Sequence, residues 1–71
     1  MDRITQLQDC HPWLSKDNAR LLLCRTYLEL NSRYDANEVP ALLQKHTDQF
    51  CEQTQSQLKD TLSILHEFTN T

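Results

Sequence analysis

Three cysteines and three histidines are the side chains of this 71-residue sequence that could hold a metal through nitrogen or sulfur, or pair a nucleophile with its base. Their spacing supports neither use. His11, His46 and His66 fall on three different segments, and none stands three or four residues from a second ligand in an H-x-x-C or H-x-x-x-H pattern. That pattern is what places two ligands on one helical face. Cys10 and His11 are adjacent, so their side chains diverge on a helix. A nucleophilic pair between Cys51 and His46 or His66 is conceivable, yet a cysteine at an apolar seam position behaves as a small hydrophobe. Asp17, Glu29, Asp35, Glu38, Asp48, Glu52, Asp60 and Glu67 lie mostly in wet helical sectors and read as solvated charge. We therefore expect no catalytic, cofactor or metal site, and no enzymatic activity. Cys10, Cys24 and Cys51 are odd in number, widely spaced and without a C-x-x-C pair, which predicts reduced thiols in a reducing compartment.

The elements that carry these residues are constrained by one absence: the sequence has no glycine. Tight hairpins, bulges and phosphate-cradling loops draw on a residue that tolerates positive φ, whereas helices do not. The expected class is all-α, an antiparallel helical hairpin with a short N-terminal helix or arm and a long C-terminal helix. Residues 1–11 form the arm, because Ile4 and Leu7 make a short apolar face and His11-Pro12 disfavours helical geometry before the proline. Ser15-Lys16-Asp17 reads as a cap with an early acid, starting a middle helix over 15–33. Tyr34-Asp35-Ala36-Asn37 supplies the connection, with Asn37 as the cap and Pro40 in the first turn. From residue 38 to 69 nothing reads as a break, giving one helix of roughly 45 Å at 1.5 Å per residue. All of this is a single small domain.

Apolar residues surround both rods. Ala19, Leu23, Tyr27, Leu30 and Tyr34 share one stripe of the middle helix, while Leu21, Cys24 and Leu28 share another on the opposite side. In the long helix, Leu43, Phe50, Gln57 and Ile64 recur every seven residues, as do Cys51, Leu58 and Leu65, a coiled-coil-like seam with polar interruptions. A hairpin buries one stripe from each helix, so a surplus remains. Each exposed Leu, Ile or Phe forgoes about 1.5–3 kcal/mol, and a domain of this size draws only about 3–5 kcal/mol from its core. A protein partner or self-association is the expected use of the surplus.

The formal charge of −3, from seven basic and ten acidic residues scattered along the chain, leaves no basic stripe for nucleic acid or an anionic membrane surface. Leu21-Leu22-Leu23-Cys24 is the longest apolar run, far short of the ~20 residues of a membrane span. The opening Met1-Asp2-Arg3-Ile4-Thr5-Gln6 lacks the basic-then-apolar pattern of a cleaved signal, so a cytoplasmic location is expected.

The opening Ile4-Thr5-Gln6-Leu7-Gln8-Asp9 and the ending Leu58-Lys59-Asp60-Thr61-Leu62-Ser63-Ile64-Leu65-His66-Glu67-Phe68-Thr69 resemble the small co-chaperone family of type III secretion needle subunits. The resemblance implies a cytosolic, non-enzymatic subunit. It would bind and stabilise a tetratricopeptide-like secretion chaperone, and through it hold a needle subunit monomeric. It further implies that Leu58, Leu62, Leu65 and Phe68 contact that chaperone, with Leu21 and Leu28 contributing from the other helix. The alternative class is a self-assembling helical-hairpin subunit, needle-like or rod-like, or a coiled-coil component of a larger complex. Asp35-Ala36-Asn37-Glu38-Val39-Pro40 is similar to the turn of such needle subunits.

Overall fold

Side-chain oxygens start three of the four helices, and the boundaries follow from them. The computed structural model describes residues 2–69 and contains α1 (Arg3–Cys10), α2 (Lys16–Arg33), α3 (Val39–Glu52) and α4 (Gln55–Thr69), with no strand among the described residues. Asp2 caps α1 by accepting from the Thr5 amide at 2.8 Å, and Ser15 caps α2 by accepting from the Asn18 amide at 3.1 Å. These bonds satisfy amides that the first turn leaves without a carbonyl. Helix ends show the consequence of a glycine-free sequence. No described residue has positive φ, so the helices cannot close with a left-handed cap. They leave instead through extended backbone, as at Tyr34 (φ −130°, ψ 160°) and Gln53 (φ −68°, ψ 148°).

The single helix expected over 38–69 is two helices. Thr54 Oγ1 accepts from the Gln57 amide at 3.2 Å, while Gln57 Oε1 accepts from the Thr54 amide at 3.0 Å. This reciprocal capping box starts a new helix, so α3 stops at Glu52 and α4 begins at Gln55. The seven-residue seam does not run across that break. The cap expected at Asn37 also falls elsewhere: Glu38 precedes α3, with Pro40 in the first turn. The Glu38 amide donates to the Asp35 carbonyl at 2.9 Å, and Glu38 Oε2 accepts from the Asp35 amide at 3.3 Å, which shapes the approach to the helix.

α2 is the central element. It packs against α1, α3 and α4, and α1 also packs against α3, whereas α3 and α4 make little contact with each other. The chain forms a slab of 33 × 32 × 17 Å, close to two helix diameters thick at about 10 Å each. One core cluster unites Leu7 of α1, Leu14 of the link before α2, Ala19 and Leu22 of α2, and Leu58 and Leu62 of α4; a second joins Leu30 to Val39 and Leu43. Leu23 touches both. The buried line of α2 is therefore Ala19, Leu22 and Leu30, while Tyr27 and Tyr34, expected on the core stripe, are exposed. Leu22 belonged to neither expected stripe and is fully buried. The polar Thr26 interrupts its line in sequence, and the Thr26 hydroxyl is satisfied by donating to the Leu22 carbonyl at 2.7 Å. Thr47, also fully buried, donates to the Leu43 carbonyl at 2.7 Å in the same way.

Polar contacts fasten α1. The Gln6 amide donates to Asp48 Oδ1 at 2.8 Å and accepts from the Gln44 amide at 2.8 Å, which links α1 to α3. Cys10 and Cys51 form a disulfide with their Cα atoms 5.4 Å apart. This corrects the expectation of three reduced thiols. The C-terminal ends of α1 and α3 meet in space across 41 residues of sequence, a convergence that cysteine spacing alone does not reveal.

Candidate functional site

The break between α3 and α4 leaves a groove. Both helices lean on α2, but their sparse mutual contact opens a channel of about 470 Å³ between them. α2 provides its length through Leu22, Arg25, Thr26, Glu29, Leu30, Arg33 and Tyr34, a line of i, i+3 and i+4 steps spanning roughly 18 Å. α3 contributes His46 and Phe50 to one wall, and α4 contributes Thr61, Leu65 and Phe68 to the other. Only Leu22 and Leu30 of these residues are buried, so the feature is a surface trough with an apolar floor rather than an enclosed cavity.

Charge is distributed unevenly around it. Among the described residues the groove is lined by two guanidinium groups, Arg25 and Arg33, and one acid, Glu29, although the chain as a whole carries −3. The Arg25 guanidinium lies 5.9 Å from the centre of the Phe68 ring, a cation–π contact that holds it at the mouth. Arg33 Nη2 meets Glu29 Oε1 at 3.3 Å, with the two side chains 68% and 64% exposed. A pair this wet contributes little stability and exchanges readily.

The structure separates the six residues expected to touch a partner. Leu58 and Leu62 are 0% and 5% exposed; they are core side chains and offer no surface, because α4 turns this edge inward against Leu7 and Leu22. Leu65 is half-buried and lines the groove, Phe68 is 63% exposed at its rim, and Leu28 is 59% exposed on α2. Leu21 is half-buried on α2, and neither it nor Leu28 is among the groove residues. Ile64, at 54% exposure, lies on α4 outside the groove lining. Arg25 and Arg33 went unnoticed as site residues in the sequence. Their eight-residue spacing on one helix, two turns apart, was the available signal.

The histidines stay apart. His11 is 5% exposed and its Nε2 donates to the Phe50 carbonyl at 2.8 Å, since a carbonyl oxygen only accepts. Its ring also meets Trp13 edge to face at 5.7 Å, and Lys59 Nζ sits 5.5 Å over Trp13. Leu14, just before the Ser15 cap, shares a core cluster with Ala19 at the start of α2, and Trp13 packs against that cluster. His66 Nε2 lies 3.1 Å from Asn18 Oδ1. Among the described residues no three of His, Cys, Asp and Glu gather as a metal site, and Cys24 is an exposed thiol. No family model, curated protein or solved structure matches the chain.

Proposed function

We propose that this chain is a non-enzymatic interaction subunit that receives a helical segment of another protein in the groove between α2, α3 and α4. The observation that carries this reading is an apolar-floored trough that has two of the exposed large side chains, Tyr34 and Phe68, in its own lining. Leu28 of α2 and Ile64 of α4 are also exposed but lie outside the lining. An amphipathic helix laid in such a groove buries anchors at i, i+3 or i+4, and i+7. In its most specific form, supported by the resemblance of the two chain ends, the subunit is a co-chaperone for a tetratricopeptide-like chaperone of a type III secretion needle subunit. It would then act in a cytosol where the Cys10–Cys51 bridge is reduced. Loss of the bridge removes roughly 4 kcal/mol for a 41-residue loop, which would make the free chain dependent on its partner.

The disulfide favours a second reading. Bridges persist in oxidising compartments, and there the chain would serve as a self-assembling structural subunit or as a helical component of a larger complex. Affinity purification of the tagged chain from its native host, beside Tyr34→Glu and Phe68→Glu variants, tests the first reading. One helical-repeat partner should be retained by the wild type and lost by both variants. Equal recovery by variants of wild-type helicity and melting temperature overturns it, and high-order assembly of the pure oxidised chain replaces it with the second.

A further inference from the structure

We propose that the groove's first occupant is α4 of a second copy, so that the free chain is a two-fold dimer whose two grooves are reciprocally filled. This rests on the reading of the groove as a docking site and names what covers it before any other partner does. The outer side of α4 carries Asp60, Ile64 and Glu67, all exposed. On a helix, residues four before and three after Ile64 flank it on one face, so an apolar anchor stands between two carboxylates about 10 Å apart along the axis. The groove presents the complement. Arg25 and Arg33 are eight residues apart on α2, or roughly 12 Å, over a floor that includes Leu22 and Leu30. α4 has 15 residues, about 22 Å of helix, enough to fill the roughly 18 Å of the channel.

The chemistry of the pairs is favourable. The planar guanidinium matches a carboxylate in a two-pronged geometry. Among the described residues Arg33 has its one ion pair with Glu29, both side chains exposed, and an incoming carboxylate can replace it. The signs are also selective: a groove whose charged lining is mostly basic, on a chain of net −3, attracts the acidic face of α4 and repels a basic helix. Since α4 is itself a wall of its own groove, reciprocal insertion sets the two α4 helices side by side about a two-fold axis. The contact is closed, and it stops at two copies.

Charge exchange tests the proposal on the full chain. One variant carries Arg25→Glu and Arg33→Glu, the other Asp60→Arg and Glu67→Arg. Each alone meets itself with like charges, whereas a mixture restores opposite charges at both contacts. Sedimentation velocity over a roughly hundredfold concentration range should show a wild-type dimer. Dimerisation of each variant alone should be weaker by on the order of a hundredfold, and the equimolar mixture should recover it. A wild type that stays monomeric throughout overturns the proposal whatever the variants do. It leaves the docking role of the groove intact if Phe68→Glu still loses a heterologous partner. A dimer that persists in both variants, or a mixture no more associated than its components, also overturns it. Ile64→Lys, which changes an exposed residue, should separate the copies without loss of helicity, and a dimer unaffected by it counts against the α4 contact.

Discussion

Cys10, the last residue of α1, is bonded to Cys51 in the last turn of α3, and with it the 41-residue span between them becomes a closed loop. On a chain-entropy basis this closure contributes roughly 4 kcal/mol, comparable with the entire core contribution of about 3–5 kcal/mol available to so small a domain. We predict that Cys10→Ser with Cys51→Ser lowers the unfolding free energy by about 2–4 kcal/mol in urea titrations. The same substitutions should raise amide exchange first in α1, which the bridge ties down. An unchanged midpoint would mean that the bridge does not form.

The α3–α4 break is predicted to depend on the Thr54–Gln57 capping box. Thr54→Ala should cost about 1 kcal/mol, and Thr54→Ala with Gln57→Leu should extend helix across residues 53–54, reported by amide and Cα chemical shifts. Shifts that keep a break there would place its cause in packing rather than in the cap.

Leu58 and Leu62 should behave as core residues. Leu58→Ala is predicted to destabilise the chain by about 2–5 kcal/mol, and Leu62→Glu to prevent stable folding, because it buries an unpaired carboxylate. Leu28→Glu, at a position 59% exposed, should leave the melting temperature nearly unchanged. A wild-type melting temperature for Leu62→Glu would move that residue back to the surface.

Asp2 gives the fold a defined acid sensitivity. The Thr5 amide, and then the Thr5 hydroxyl, donate to its carboxylate and hold it below the usual carboxylate range. A group with a lowered folded value adds stability above its unfolded value, about 3.9, and loses it as pH falls through the folded value. The first turn of α1 should therefore fray below about pH 4 in the wild type. In Asp2→Asn, amide exchange in that turn should show no such step. A step of equal size in both proteins would assign it to another acid.

Much of this was legible in the sequence, and the misses have physical causes. The helical class followed from the absence of glycine, and the start of α2 from Ser15-Lys16-Asp17, since both are local properties of the chain. The division of the C-terminal helix was also written locally, in Thr54-Gln55-Ser56-Gln57, but good helix formers on both sides masked a capping box. Leu22 was hidden because its apolar line passes through Thr26, whose hydroxyl is satisfied within its own helix. The bridge and the groove depend on where separate helices meet. The groove arises because α4 folds onto α2 instead of continuing α3, which no periodicity along either helix encodes.

The central claim is that the trough along α2 is the working surface. Hydrogen-exchange mass spectrometry of the full chain, diluted until monomeric and then in its purified complex, reads it directly. Protection on complex formation should concentrate in Leu22–Tyr34 and in the α4 segment Thr61–Phe68, with α1 little changed. Protection confined to α1 and the early turns of α3, with the Arg25 and Arg33 region exchanging as in the free chain, would contradict it.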